Sequence, residues 1–267
     1  MHRWLATLGL LALFLGAHAA PERIASFSPG ATRTLIDLGA AGQIVAATRW
    51  CPLPAAHPAT RDCDVFNPDL ERLLRAKPDL VVLPRTSNPL WAERCRGAGL
   101  KVLVLSPESK ASVATDIRLI AEALDSPKTQ ADRLTKELEG IPALKPAKLL
   151  IIWDGMMAGP DTYLAAILQR TGFRSALANG GWIKLDWEIL AQAQPDAVLW
   201  IESGPTDGPV VFSENRKGFL SQVTLVKQLK FYKADLIFET SSGSEWLPGT
   251  GLLQIIPKLT ALRGKMR

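Results

Sequence analysis

Short runs of apolar residues alternate along this chain with segments in which apolar residues recur at helical spacing. The short runs predict β-strands, and the periodic segments predict amphipathic helices. Strands that are apolar throughout are typical of parallel sheets that are buried on both faces. The pattern therefore predicts an α/β protein. The predicted strands are 23–27, 44–48, 80–83, 102–105, 148–153, 197–201 and 236–238.

One helix-to-strand step occurs twice in the sequence. Residues 70–82 are echoed by residues 187–199, with a constant offset of 117 positions. Each copy predicts a short helix that a Pro-Asp turn ends before an apolar strand begins. A looser echo relates 34–39 to 167–172, each an apolar-faced helix that ends at glycine. The duplication predicts two lobes built to one plan.

The segment between the two copies also has helical periodicity. It lies in two stretches, 112–124 and 126–138, and a Ser-Pro pair is placed to begin the second stretch. We therefore predict an N-terminal lobe over 20–110, a linker helix over 111–140 and a C-terminal lobe over 141–267. The predicted fold is two lobes with parallel sheets flanked by helices, joined by a long helical linker, with a ligand cleft between the lobes.

The first residues have the pattern of an export signal. A cationic start, His2 and Arg3, precedes an apolar run over 5–16 and a small-residue exit. We expect a signal peptide over 1–19, cleaved after Ala19. Because the junction has no cysteine that could accept lipid, we expect a periplasmic protein without a lipid anchor. No later stretch of the sequence is apolar enough to span a bilayer.

The cysteines and the single histidine outside the signal define the options for crosslinks and metals. Cys51 and Cys63 flank a proline-rich loop, and a disulfide there would stabilise the folded state by about 3 kcal/mol. We expect that disulfide, which would leave Cys95 as a buried thiol. Zinc is the weaker interpretation, because there is no CxxC pair and His57 is the remaining histidine. We predict no metal site.

Charge and motifs argue against several functional classes. The formal net charge of +5 is scattered along the chain, which does not indicate nucleic-acid binding. A hydrolase would need a nucleophile and a base, but the sequence has no G-x-S-x-G motif and His57 lies in a proline-rich loop. We predict no catalytic residue and no enzymatic activity. A periplasmic sensor or adaptor is an alternative that the fold itself leaves open.

Four segments together carry a family resemblance. Residues 23–32, 66–71, 77–81 and the echo at 188–198 resemble, in the same order, periplasmic binding proteins of the helical-backbone class. Members of that class bind cobalamin, ferric siderophores or haem for ABC importers. The resemblance implies a monomeric binding protein that delivers its ligand to a permease dimer in the inner membrane.

The resemblance also implies a docking role for one glutamate in each repeated helix. Glu71 and Glu188 occupy the positions at which the family contacts arginines on the two permease subunits. A matched pair of carboxylates suits a two-fold symmetric partner. In the alternative interpretation, each glutamate only stabilises the positive end of its helix dipole.

The ligand should lie where the strands of both lobes end at their carboxyl ends. The loops there are rich in tryptophan and arginine. By resemblance, Trp50, Trp182 and Trp246 match or lie near aromatic ligand contacts of cobalamin-binding members. The candidate ligand-binding residues are Arg49, Trp50, Arg85, Trp91, Asp154, Trp182 and Trp246.

The residue types in these loops favour a large ligand that offers flat surfaces. Indole rings provide broad stacking area, and tryptophans outnumber tyrosines by 8 to 2 in this chain. We favour a corrinoid such as cobalamin. Two guanidinium groups, Arg49 and Arg85, would instead suit an anionic chelate such as a ferric siderophore or haem. We expect no resident cofactor.

Overall fold

The computed structural model describes residues 20–106, 110–138, 145–204 and 206–266. The predicted signal peptide lies outside the described residues. The described chain forms two sheets, each with helices packed on both faces. This confirms the predicted α/β fold with two lobes.

The N-terminal lobe is built on one parallel sheet. Its strands are β1 Ile24–Ser26, β2 Ile44–Thr48, β3 Thr60–Cys63, β4 Leu80–Pro84 and β5 Lys101–Leu105. Its helices are α1 Pro29–Asp37, α2 Leu70–Arg75 and α3 Pro89–Gly97, with a 3-10 turn at Ala41–Gln43. The strand order is β3-β2-β1-β4-β5, and every neighbouring pair is parallel. Helices α1 and α3 each begin with proline after a polar cap, Ser28 or Asn88, as the sequence favours.

Two helices follow the N-terminal sheet, α4 Lys110–Ala123 and α5 Lys128–Leu138. Between them the chain turns at Asp125, which has a positive φ of 52°. The Arg118 guanidinium donates to the Asp132 carboxylate (3.3 Å) and to the Thr135 hydroxyl (3.0 Å). These contacts require α5 to fold back against α4. The linker segment is therefore a packed pair of helices, which match the two predicted helical stretches and differ from the single linker helix predicted over 111–140.

The C-terminal lobe is built on a mixed sheet. Its strands are β6 Ala147–Trp153, β7 Met156–Ala158, β8 Phe173–Ser175, β9 Trp182–Lys184, β10 Ala197–Ser203, β11 Val211–Phe212 and β12 Ile237–Ser242. Its helices are α6 Leu164–Arg170, α7 Trp187–Ala193, α8 Glu214–Leu220, α9 Thr224–Lys227, α10 Lys230–Lys233 and α11 Leu252–Lys265. The strand order is β11-β12-β10-β6-β7-β9, and β8 also pairs with β6.

Three strands of this second sheet are antiparallel, which differs from the predicted wholly parallel arrangement. Strands β8, β6, β10 and β12 are parallel, whereas β7, β9 and β11 are antiparallel to their neighbours. The reversal after β6 occurs at Asp154 and Gly155, whose φ angles are 45° and 79°. Two successive residues with positive φ form the type of tight turn that joins antiparallel strands.

The repeated Pro-Asp turn has a structural role that is the same in both lobes. The Asp79 carboxylate accepts the backbone N–H of Glu22 (2.8 Å), and the Asp196 carboxylate accepts that of Lys148 (2.8 Å). Each aspartate thereby ties the start of its own strand to the start of the neighbouring parallel strand. In both lobes, the repeated Pro-Asp turn therefore aligns the start of the strand that follows it with the start of the neighbouring parallel strand.

A continuous apolar core joins the two lobes. It includes residues from helices α1, α4, α5, α6 and α11 and from both sheets. At the same junction, Thr250 donates from its backbone N–H to the Thr34 hydroxyl (3.2 Å) and from its own hydroxyl to Asp37 (2.6 Å). A Cβ on Gly30 would lie 2.2 Å from the Pro248 carbonyl oxygen. The lobes are therefore packed tightly against each other at α1.

Candidate functional site

A cavity of about 500 Å³ lies between the lobes. Its N-terminal wall is the loop after β2, and its C-terminal wall is formed by the loops after β10 and β12. The lining residues are Arg49, Trp50, Cys51, Pro52, Leu53, Arg61, Gly204, Thr206, Asp207, Gly243 and Ser244. All three loops leave the carboxyl ends of parallel strands, which is where the ligand cleft was predicted. The volume is typical of a small-molecule site.

Trp50 and Arg49 present the most accessible ring and charge on the N-terminal wall. The Trp50 side chain is 59% exposed, and the Arg49 guanidinium carbon lies 5.7 Å from the centre of its ring. The sequence predicted both residues as ligand contacts, and both line the cavity. Together they offer a stacking surface beside a positive charge.

Arg61 holds the loop that carries Trp50. Its guanidinium donates to the backbone carbonyls of Cys51 (3.1 Å) and Leu53 (2.9 Å), and also to that of Pro54 (3.3 Å). Charge-assisted bonds to several carbonyls fix the conformation of a loop that is otherwise outside regular structure. This role could not be predicted, because nothing in the sequence connects Arg61 with a loop ten residues earlier.

Asp207 holds the opposite wall. Its carboxylate accepts the backbone N–H groups of Gly243 (2.7 Å), Ser244 (2.9 Å) and Glu245 (3.0 Å). One charged group thereby ties the loop after β10 to the loop after β12. Asp207 was not among the predicted site residues, since its partners lie 36 to 38 positions further along the chain.

A second aromatic group lies where β6 ends. The ring centres of Trp153 and Trp182 are 6.1 Å apart, and those of Tyr163 and Trp182 are also 6.1 Å apart. Trp182 is 37% exposed, as a ligand contact would need, although it is not among the residues that line the cavity. Tyr163 is buried, which raises the pKa of its hydroxyl, so the phenol stays protonated.

Asp154 is exposed and has a structural partner. Its carboxylate accepts both the hydroxyl (2.5 Å) and the backbone N–H (3.2 Å) of Ser203, while the Trp153 indole N–H donates to that same hydroxyl (3.0 Å). The side chain therefore fixes the ends of β6 and β10 together. It does not line the cavity.

Two predicted ligand contacts, Trp91 and Trp246, are core residues, so the prediction is wrong for both. Trp91 is 3% exposed, because α3 turns its ring towards the sheet, 5.9 Å from the ring centre of Phe27. Trp246 is fully buried in the core that joins the lobes. The loop that carries it is drawn inwards by the bonds from its neighbours to Asp207.

Arg85 lies on the surface at the end of β4 and is not among the residues that line the cavity. Its backbone N–H donates to the Leu105 carbonyl (2.7 Å), which continues the pairing of β4 with β5. Of the two arginines predicted to attract an anionic ligand, the structure brings only Arg49 to the cavity.

The predicted Cys51–Cys63 disulfide is absent, and all three cysteines, each within the described residues, are free thiols. The physical reason is that the two side chains belong to different cores. The Cys51 sulfur lies on the α1 side, 3.0 Å from the Thr32 hydroxyl, whereas Cys63 packs with Cys95 in the core beneath α2 and α3. Burial raises the pKa of all three thiols, that of Cys95 to about 11.

Glu71 and Glu188 lie in the first turns of α2 and α7, and both side chains are exposed. The helix caps are supplied by other residues: Asp69 accepts the Arg72 N–H (3.1 Å), and Asp186 accepts the Glu188 N–H (2.8 Å). The two helices therefore do not need the glutamates as caps. Both glutamates still lie in the first turn, where the helix dipole favours a carboxylate, so the dipole interpretation stands beside the docking one.

Phe66 is an exposed aromatic residue that the sequence analysis did not select. It follows β3 and is 97% exposed, and its backbone N–H donates to the Asp64 carboxylate (2.9 Å). In the sequence, its position after the carboxyl end of a strand could have marked Phe66 as a candidate site residue.

The described residues contain neither a metal cluster nor a membrane span. No group of three or more His, Cys, Asp or Glu side chains among them is placed to hold a metal ion. Within the same residues, no helix combines the length and the apolar character needed to cross a bilayer.

Two α/β lobes with a cavity between the carboxyl ends of their strands define the class of small-molecule binding proteins. The chain belongs to the periplasmic binding protein family, whose model matches residues 24–242. Such proteins bind small ligands and work with a membrane permease, and membership implies a periplasmic or extracellular location.

Individual relatives are distant in sequence but similar over most of the chain. An uncharacterized ABC transporter substrate-binding lipoprotein of Bacillus subtilis, YvrC, is 24% identical over 86% of this chain and 77% of its own length. A vitamin B12-binding protein of Photorhabdus laumondii is 28% identical over 72% of this chain and 78% of its own.

A solved structure supports the fold. The periplasmic haem-binding protein HutB of Vibrio cholerae superposes with a TM-score of 0.73, covering 90% of this chain and 98% of that one. Its sequence identity is 22%, so the likeness shows the shared fold alone.

Proposed function

We propose that this protein is the periplasmic solute-binding component of an ABC importer that captures a bulky metal chelate and delivers it to its permease. The observation that carries the proposal is the cavity between the lobes, where a largely exposed Trp50 stands beside Arg49. Its two walls are fixed by Arg61 and Asp207, so the site is formed before ligand enters. Ligand capture requires no catalytic residue.

A corrinoid is the favoured ligand. The exposed indole of Trp50 suits the broad face of such a ligand, and a relative of this chain is a vitamin B12-binding protein. The alternative is a ferric siderophore or haem, which the positive charge of Arg49 would attract. Because Arg85 lies outside the cavity lining, only one of the two arginines that supported an anionic ligand still does so.

We propose that Glu71 and Glu188 dock the protein on a permease dimer. They are exposed at the same point of the duplicated helix in each lobe, and Asp69 and Asp186 already cap these helices. Two like carboxylates presented by a monomer match a two-fold symmetric set of cationic groups.

The proposed location rests on the family and on the first residues of the sequence. We propose export to the periplasm by cleavage of a signal over 1–19. The Bacillus relative is a lipoprotein.

The binding proposal is tested by replacing Trp50. Trp50→Ala should weaken binding of the ligand by tenfold or more, about 1.4 kcal/mol, because a stacking surface at the cavity mouth is removed. The measurement is tryptophan fluorescence titrated with cyanocobalamin, a ferric trihydroxamate and haemin, corrected for absorbance of each compound.

The matched control is Phe219→Ala, which removes an exposed ring that does not line the cavity. It should leave the affinity unchanged. Equal affinity of Trp50→Ala and the unmodified protein for a chelate that binds saturably would show that the ligand lies elsewhere.

A further inference from the structure

The cavity contains few atoms that could bind a metal. Haem iron is held in proteins by histidine, tyrosine, cysteine or methionine side chains. Apart from the signal peptide, the sequence offers nine such residues: Cys51, His57, Cys63, Cys95, Met156, Met157, Tyr163, Tyr232 and Met266. Of these, only Cys51 is among the residues that line the cavity.

The Cys51 thiol is turned away from the cavity space. Its sulfur lies 3.0 Å from the Thr32 hydroxyl and 3.2 Å from the Thr48 hydroxyl, within the core on the α1 side. Burial raises the pKa of this thiol, which keeps it protonated at neutral pH. The thiolate is the form that binds metals, so Cys51 is a poor donor here.

The histidine and the tyrosines are engaged elsewhere. The two ring nitrogens of His57 contact the Ala41 carbonyl (3.0 Å) and the Ala59 N–H (3.2 Å). Tyr163 is buried against Trp182, and Tyr232 packs against the core on the outer face of the second sheet.

Three methionines and two cysteines remain. Cys63, Cys95 and Met157 are buried, and Met266 packs at the edge of the core that joins the lobes. Met156 is half-buried on β7, directly opposite Trp153 of β6. It does not line the cavity, but it is the one donor with partial access near the aromatic group at the end of β6.

The charged side chains that line the cavity are likewise divided between structure and solvent. Arg61 and Asp207 are bonded to backbone groups of their loops, and Arg49 stands over Trp50. The cavity therefore offers a ring face, the positive charges of Arg49 and Arg61, an Asp207 carboxylate bonded to backbone N–H groups, and the small polar residues of the opposite wall. These groups can contact the periphery of a chelate, but they do not coordinate its metal.

From this placement we infer that the protein takes a metal chelate whose coordination sphere is already complete, and that the protein adds no donor atom to the metal. The inference rests on the proposed function, and it narrows the ligand class. Corrinoids with both axial positions filled and hexadentate ferric siderophores meet the condition. Haem with an open axial position does not.

The test compares, on the purified protein, chelates whose metal has a complete coordination sphere with a chelate whose metal does not. In cyanocobalamin and a ferric trihydroxamate the coordination sphere is complete, whereas the iron of haemin has an axial position open to a protein donor. Affinities are measured by calorimetry, and the coordination of any bound haemin is read from its Soret band and electron paramagnetic resonance spectrum. Met156→Ala, Cys51→Ser and Tyr163→Phe are measured in parallel.

We expect a saturated chelate to bind, with an affinity that Met156→Ala changes less than about twofold. Any haemin that binds should show no signature of a protein donor in any variant. Haemin bound with the signature of a protein donor would overturn this inference and leave the importer proposal standing. Loss of that signature in one variant, together with about tenfold in affinity, would name the donor. Absence of binding by every chelate would overturn both.

Discussion

Asp116 is a buried carboxyl group in α4, beside the junction of the lobes. One of its oxygens accepts the Ser106 N–H (3.2 Å), and the other has no partner among the described residues. Burial raises the pKa of this carboxyl from 3.8 to about 6, and the bond from Ser106 opposes the shift. The folded protein therefore holds this proton more tightly than the unfolded chain does.

The sign of the resulting pH dependence follows from that difference. The contribution of Asp116 to stability is greatest below the unfolded pKa, and it is lost as pH rises to about 6. Asp116→Asn removes the buried charge and should raise the free energy of unfolding by about 1–2 kcal/mol near pH 7.5, with little effect near pH 4. Urea denaturation at both pH values checks this.

The exposed Asp161 provides the control, since Asp161→Asn should leave stability unchanged at both pH values. If Asp116→Asn raised the free energy of unfolding by the same amount near pH 4 as near pH 7.5, the stabilisation could not come from titration of Asp116.

At single positions the sequence could predict proximity to a strand end, but it could not predict the direction of a side chain. Trp50 and Trp91 both follow apolar strands. Trp50 is exposed at the cavity, whereas Trp91 lies in α3 and packs against the sheet. Direction depends on helix packing, which a single sequence does not reveal. For the same reason Cys51 and Cys63 are close in sequence but lie in different cores.

At the level of elements, the contact between α1 and the loop before α11 fixes the lobes relative to each other. Gly30 of α1 lies against the Pro248 carbonyl, and a Cβ there would be 2.2 Å from that oxygen. Because that neighbour is backbone, it cannot turn aside as a side chain would. The same junction carries the two bonds from Thr250 to α1.

Gly30→Ala should therefore destabilise the protein by about 2 kcal/mol or more, because the loop or the helix must shift. Gly97→Ala is the matched control: Gly97 is also helical, and a Cβ there would meet nothing within 4 Å. Thermal unfolding followed by circular dichroism compares the two. Similar melting temperatures for both variants would mean that the close contact carries no stability.

Elements were predicted well where the apolar pattern was regular and poorly where a turn decided the direction. The repeated helix and strand around 70–82 and 187–199 were found because both copies keep the same pattern. The reversal after β6 does not show in the hydrophobic periodicity, and its signal was the Asp154-Gly155 pair, which is typical of tight hairpin turns. The return of α5 along α4, at Asp125, likewise does not show in that periodicity.

At the scale of the whole molecule, a shared core and a bonded junction hold two similar lobes around one cavity. Closing the lobes on a ligand would have to disturb this packing, so we expect only small movements. A rigid body also keeps Glu71 and Glu188 at a constant separation. Constant separation is what docking to a two-fold symmetric partner requires.

The central claim, capture for an importer, is tested most directly by charge reversal at both glutamates. The measurement is uptake of labelled ligand by cells that carry Glu71→Lys with Glu188→Lys, set beside the affinity of the same purified variant. Glu214→Lys is the control, because Glu214 is also a first-turn glutamate behind a polar cap, Ser213.

We predict that the double variant loses uptake while its affinity for the ligand changes less than about twofold, and that Glu214→Lys retains both. Undiminished uptake by the double variant would contradict the account.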